Sequence, residues 1–124
     1  MSYKIVLTEN FKKEAKILHK KYPSLKKELE ELGNALAENP TFGAYLGNNI
    51  YKIRLAIKSK GKGKRGGARV MAQVKIINKT VYLFSIYSKG EQDDISDNQF
   101  LELIRYSRVK PIRNLNGKIE LIII

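Results

Sequence analysis

Lys52, Arg54 and Arg69, with Lys58, Lys60, Lys62, Lys64, Arg65 and Lys89 around them, lie in a part of the chain without acids: between Glu38 and Glu91 there is neither aspartate nor glutamate. Positive charge without local counter-ions attracts anions, and a phosphodiester backbone is an anion that such a row can follow. Spacing narrows the chemistry. Tyr51, Ile53, Leu55 and Ile57 alternate with Lys52, Arg54 and Lys58. Successive side chains of a strand point to opposite faces, so the apolar set takes the core and exposes Lys52 and Arg54 together. In the next β-rich run Val70, Ala72, Val74 and Ile76 form the core set, which leaves Arg69, Met71, Gln73 and Lys75 on the other side. Lys52, Arg54 and Arg69 are expected to converge on an open sheet face, where arginine forks suit phosphate oxygens.

The elements that must position these residues can be read from the periodicity. Residues 3–8 form a short β-rich run, and Asn10 is a possible cap for a helix carrying Phe11, Ala15 and Leu18 to about Lys21. Tyr22-Pro23-Ser24 interrupts it. Ser24 then caps a second helix in which Leu25, Leu29, Leu32 and Leu36 share one face, ending near Asn39-Pro40. Residues 40–49 read as a connecting loop. The period changes to two over residues 50–57, 68–77 and 80–87, three strands in an antiparallel meander, with Asn78-Lys79 as a tight hairpin because asparagine tolerates positive φ. Residues 58–67 form a longer, glycine-rich loop. Ser96 and Gln99 resemble a capping box opening a short helix with Phe100, Leu101 and Ile104. The expected fold is α+β, two N-terminal helices on one face of a twisted, mainly antiparallel sheet, with a short C-terminal helix. Residues 1–108 make the domain, and 109–124 a tail whose isoleucine-rich end is a possible added strand.

Other chemistries are poorly supplied. The chain of 124 residues has no cysteine and one histidine, His19, so thiol nucleophiles, thiolate metal sites and histidine pairs are excluded. His19 ends a helix among lysines, where a cation is favourable. Glu91, Asp93, Asp94 and Asp97 precede a helix and complement its dipole rather than forming a metal cluster. Gly61-Lys62-Gly63-Lys64-Arg65-Gly66 matches G-x-G-x-x-G as a string, but a strand follows where dinucleotide binding needs a helix N-terminus, and the P-loop Lys-Ser/Thr is missing. What remains is a supple loop whose charges can track RNA, against the plainer reading of a solubilising loop. Before Asn39 the signs mix, with Glu14, Glu28, Glu30, Glu31 and Glu38 among lysines, and this reads as a solvated face. The net charge of +12 arises from 24 basic and 12 acidic residues, and 43% hydrophobic residues suffice for one core. The N-terminus reaches a charge before any signal-peptide core, and no apolar run spans a bilayer, so a soluble, unsecreted, cytoplasmic protein is expected.

Tyr51-Lys52-Ile53-Arg54-Leu55, the block from Lys58-Ser59-Lys60-Gly61 through Gly66-Gly67-Ala68-Arg69-Val70, and Tyr82-Leu83-Phe84-Ser85-Ile86-Tyr87-Ser88-Lys89 followed by Asp94-Ile95-Ser96 resemble the RelE/HigB superfamily of bacterial toxins, particularly its HigB-like branch. The resemblance covers about residues 3–105. It implies a ribosome-dependent mRNA endonuclease on the microbial RNase-like fold, neutralised by a cognate antitoxin, with mRNA and ribosome as partners, no membrane and no cofactor. The family's two basic strand positions fall on Lys52 and Arg54, and the arginine opening the next strand falls on Arg69. Gly90 stands where RelE proper has a second arginine, and Ser96 where it has a late tyrosine.

Cleavage by an attached 2′-hydroxyl needs a base, positive charge on the phosphorane and help for the departing 5′-oxygen, and in principle no metal. Arg54 and Arg69 suit the scissile phosphate. Lys52 is the base or charge stabiliser, since a lysine releases its proton more readily when crowded by like charge. Lys58, Lys60, Lys62, Lys64, Arg65 and Lys89 are read as RNA contacts, and Tyr87 as a residue for stacking or proton transfer. Two other readings fit the composition: a non-catalytic basic module that binds ribosomal RNA, and an inactive toxin fold that only binds a partner.

Overall fold

The computed structural model describes residues 2–61, 63, 65–90, 109–113 and 119–123. In chain order the elements are β1 (Lys4–Leu7), α1 (Glu9–Lys21), α2 (Leu25–Glu38), β2 (Ala44–Gly47), β3 (Ile50–Leu55), a 3₁₀ turn (Lys58–Lys60), β4 (Ala68–Lys75), β5 (Thr80–Ser88), β6 (Val109–Arg113) and β7 (Ile119–Ile123). Five strands form one sheet in the order β1-β5-β4-β3-β2, antiparallel except for the parallel pair β1/β5. β6 and β7 pair antiparallel as a separate two-stranded sheet. The helix expected after Ser96, and the acids 91–97 before it, lie outside the described residues. No helix among the described residues is long and apolar enough to cross a membrane.

Periodicity makes the core. Leu25, Leu32 and Leu36 of α2 and Phe11 of α1 are buried against Ile53, Val70, Ala72, Val74, Val81, Leu83 and Ile86, all on one side of the sheet. α1 starts two residues earlier than a cap at Asn10 implies. Thr8 is its cap, its hydroxyl accepting the Phe11 N–H at 3.1 Å. Ser24 precedes α2 but makes no side-chain cap bond.

Four expectations change. Residues 44–47, read as loop, are a strand: Asn48 (φ 52°) and Asn49 (φ 62°) turn the chain back so that Gly47 pairs with Ile50. That is the backbone of a two-residue primed turn, and a strand of Ala-Tyr-Leu-Gly carries too few β-branched residues to announce itself. β4 stops at Lys75, so Ile76, assigned to the core, is 65% exposed in the turn beside a fully exposed Ile77. In that turn the positive φ (49°) falls on Lys79, not on Asn78. Finally, the sheet face away from the helices is not open along β4 and β5: Met71, Tyr82, Phe84 and Tyr87 are buried there. Central strands buried on both faces read as continuous apolar runs, as Tyr82-Leu83-Phe84 does.

α1 also closes an edge. β1 ends opposite Leu83, whereas β5 continues to Ser88. Past that point the α1 end supplies the partners: Thr8 Oγ1 and Asn10 Nδ2 donate to the Phe84 carbonyl (3.3 and 3.0 Å). Glu14 Oε1 accepts from Ser85 Oγ (2.8 Å), the Ile86 N–H (3.4 Å) and Asn10 Nδ2 (2.7 Å). Phe84 is the extra residue of a bulge, since Met71 faces Ser85 while Ala72 faces Leu83. Burial raises the Glu14 pKa above its ordinary 4.5, and the three hydrogen bonds offset only part of that rise. A carboxyl raised on folding stabilises the fold fully below its unfolded value and loses that contribution as pH rises through the folded value. Glu14→Gln keeps an oxygen for all three donors and removes the buried charge. Its stability relative to the native chain should therefore increase as pH rises above 4.5 and then level off, which thermal unfolding across a pH series would measure.

Candidate active site

The cationic residues owe their geometry to strand register. Across β3, β4 and β5, Arg54 faces Arg69 and Arg69 faces Tyr87, while in the neighbouring row Lys52 faces Met71 and Met71 faces Ser85. Directly opposed residues have Cβ atoms about 4.5–5.5 Å apart, and like charges in that relation repel. The pair is arranged asymmetrically. Arg54 is exposed and Lys52 half-buried. Arg69 is only 5% exposed, and its guanidinium donates to the Ala68 carbonyl and the Arg65 carbonyl, each at 3.1 Å. Arg69 thus forms the floor of the face and Arg54 its outer side. Tyr87 is 3% exposed and, with the strands as they stand, turns no ring face to solvent.

The glycine-rich loop is anchored rather than loose at its base. Glu28 Oε1 accepts the Lys58 N–H at 2.7 Å. Ser24 and Ser59 share a hydroxyl pair at 2.7 Å, reinforced by the Ser59 N–H to Ser24 Oγ (3.0 Å) and the Ser24 N–H to Ser59 Oγ (3.3 Å). Lys60 reaches inward: its ammonium donates to Ser88 Oγ and the Lys89 carbonyl, both at 2.7 Å, and lies 5.7 Å from the Tyr22 ring centroid. The Lys58 and Arg65 side chains are exposed and Lys89 is half-buried. Lys62 and Lys64 lie outside the described residues.

Sequence reading missed the two helix carboxylates. The block between Glu38 and Glu91 lacks acids in sequence but not in space, because Glu14 reaches Ser85 and Glu28 reaches Lys58. In sequence, both read as part of solvated helix faces. Glu28 occupies the leucine side of α2, at Leu32−4 and Leu25+3, and that placement was the available signal. Among the described residues no group of histidines and acids could hold a metal ion.

The chain matches, over residues 3–110, the family described as RelE toxin of the RelE/RelB toxin-antitoxin system. It belongs to the RelE toxin family. Among solved structures, an arginine-to-alanine double mutant of E. coli toxin RelE in the free state has a TM-score of 0.58 at 22% identity, covering 86% of this chain and 98% of that one. The intact E. coli RelBE toxin-antitoxin complex gives a TM-score of 0.54 at 22% identity, covering 73% of this chain and all of that one. At that identity the structures establish a shared fold: two helices against a five-stranded mixed sheet.

In this RelE-family chain the loop rejoins the sheet at Gly67, which is buried and whose carbonyl accepts the Lys89 N–H at 2.9 Å. A Cβ there would overlap the Leu55 carbonyl oxygen and come within 3.0 Å of the Gly63 oxygen. Both obstacles are backbone, so neither can swing aside. Gly67→Ala should cost about 1–3 kcal/mol, the usual range for overpacking, as measured by urea unfolding.

Proposed function

We propose that this protein is the toxin of a type II toxin-antitoxin pair, an endoribonuclease that cleaves mRNA on the ribosome in the cytoplasm and is neutralised by a cognate antitoxin. The observation that supports cleavage is the register: Arg54 opposite Arg69, with Lys52 two residues along on the same face. The 2′-oxygen attacks the adjacent phosphorus, and the bond to the 5′-oxygen breaks, leaving a 2′,3′-cyclic phosphate and a 5′-oxygen that takes a proton from water to become a 5′-hydroxyl. Lys52 takes the 2′-hydroxyl proton or stabilises the charge that replaces it. Arg54 binds the non-bridging oxygens, whose charge grows as the phosphorane forms, and Arg69 adds positive potential from the floor. Lys58, Arg65 and Lys89, with Lys62 and Lys64, contact flanking RNA, and Lys60 sets the loop against β5. With no strong general acid in this set, alignment of the message by the ribosome supplies much of the rate.

Lys52→Ala and Arg54→Ala should each reduce ribosome-dependent cleavage by about 100-fold or more while leaving ribosome co-sedimentation nearly unchanged. Equal loss of cleavage and binding would instead favour a non-catalytic RNA-binding module, and unimpeded growth on expression without antitoxin would favour an inactive partner-binding fold. Arg69→Ala is a poorer discriminator, because it also removes the donors held by the Ala68 and Arg65 carbonyls. Engagement of about six phosphates predicts a log-log salt slope near −4 on single-stranded RNA, and a flat response would remove the loop from the account.

A further inference from the structure

Glu28 differs from the other described carboxylates in being 6% exposed while its Oε2 has no hydrogen-bond partner among the described residues. A carboxylate held in that way is expensive, and its position on the leucine side of α2 is one that an apolar residue would fill without penalty. The compensating contact is specific: Oε1 accepts the Lys58 N–H at 2.7 Å, at the point where the chain leaves β3 for the basic loop. One turn earlier on the same helix side, Ser24 is bonded to Ser59. Lys60 is then tied to Ser88 and Lys89. Three consecutive residues are each anchored, the first two to α2 and the third to the end of β5. The Lys58 side chain is exposed while its backbone is held.

We infer that Glu28 is a positioning residue for RNA capture: through the Lys58 N–H it fixes the base of the basic loop, and so the direction in which the loop presents its charge to RNA. The inference rests on the RNA-directed function proposed above. It assigns Glu28 no contact with substrate. Its effect should appear in binding and KM rather than in kcat.

The test measures single-stranded RNA affinity by fluorescence anisotropy, and kcat and KM of ribosome-dependent cleavage, on folded full-length protein. Glu28→Ala should weaken RNA affinity and raise KM by about tenfold with little change in kcat, the size expected for a lost hydrogen bond to a charged group. Glu28→Gln keeps an acceptor for the Lys58 N–H and should restore both. Lys58→Pro removes the N–H and Lys58→Ala keeps it, both without the lysine charge, so Lys58→Pro should bind RNA about tenfold more weakly than Lys58→Ala when Glu28 is present and equally when Glu28 is alanine. The Lys58→Pro and Lys58→Ala comparison with Glu28 present decides the matter if Glu28→Ala fails to fold. Native affinity and KM in Glu28→Ala, equal loss in Glu28→Gln and Glu28→Ala, or identical Lys58→Pro and Lys58→Ala proteins would overturn the inference. If the native protein binds RNA but cleaves no message, the nuclease reading falls and the affinity measurements still decide the role of Glu28.

Discussion

The opposition of Arg54 and Arg69 across β3 and β4 is the constraint on which the rest of the site depends. Two guanidinium groups in directly facing positions repel, and the register cannot slip to relieve them, because a one-residue shift would turn the apolar face of each strand outward. That apolar face carries Ile53 opposite Val70 and Tyr51 opposite Ala72, packed beneath the helices. Burial on one side of the sheet therefore enforces cationic crowding on the other. The fold accommodates it by drawing Arg69 onto the Ala68 and Arg65 carbonyls and leaving Arg54 in solvent.

The helices do more than cover the sheet. Each sends one carboxylate into the strand region that has none of its own, and each carboxylate takes a backbone N–H: Glu14 that of Ile86, Glu28 that of Lys58. The strand edge and the base of the loop thereby gain acceptors.

Legibility in the sequence followed the strength of the local pattern. The leucine spacing of α2, the alternation of β3 and the placement of Lys52, Arg54 and Arg69 on one face were all readable, because each rests on a period that backbone geometry imposes. β2 was not, since its register is set by the two left-handed asparagines rather than by its own residues. The burial of Tyr82, Phe84 and Tyr87 on the far face was only half legible: the continuous apolar run signals a central strand, but alternation applied mechanically predicts an open face. Glu14 and Glu28 were misread for a further reason. A carboxylate among lysines on a helix looks like half of a solvated pair, and only tertiary packing shows that its partner is a backbone N–H far along the chain.

At the end of β5 the chain turns through a glycine. Gly90 has φ of 88°, a conformation that glycine adopts readily and a side-chain-bearing residue resists. A larger residue there would have to be held in a left-handed backbone, so the turn itself favours glycine. Positive charge reaches this point from another segment. The Lys60 ammonium, extended from the loop, lies on Ser88 Oγ and on the carbonyl of Lys89, the residue directly before Gly90. The loop and the strand end are joined there by a cation that belongs to the loop, and the same ammonium lies 5.7 Å from the ring centroid of Tyr22, at the C-terminal end of α1. A displacement of any one of these three segments must then be felt by the other two.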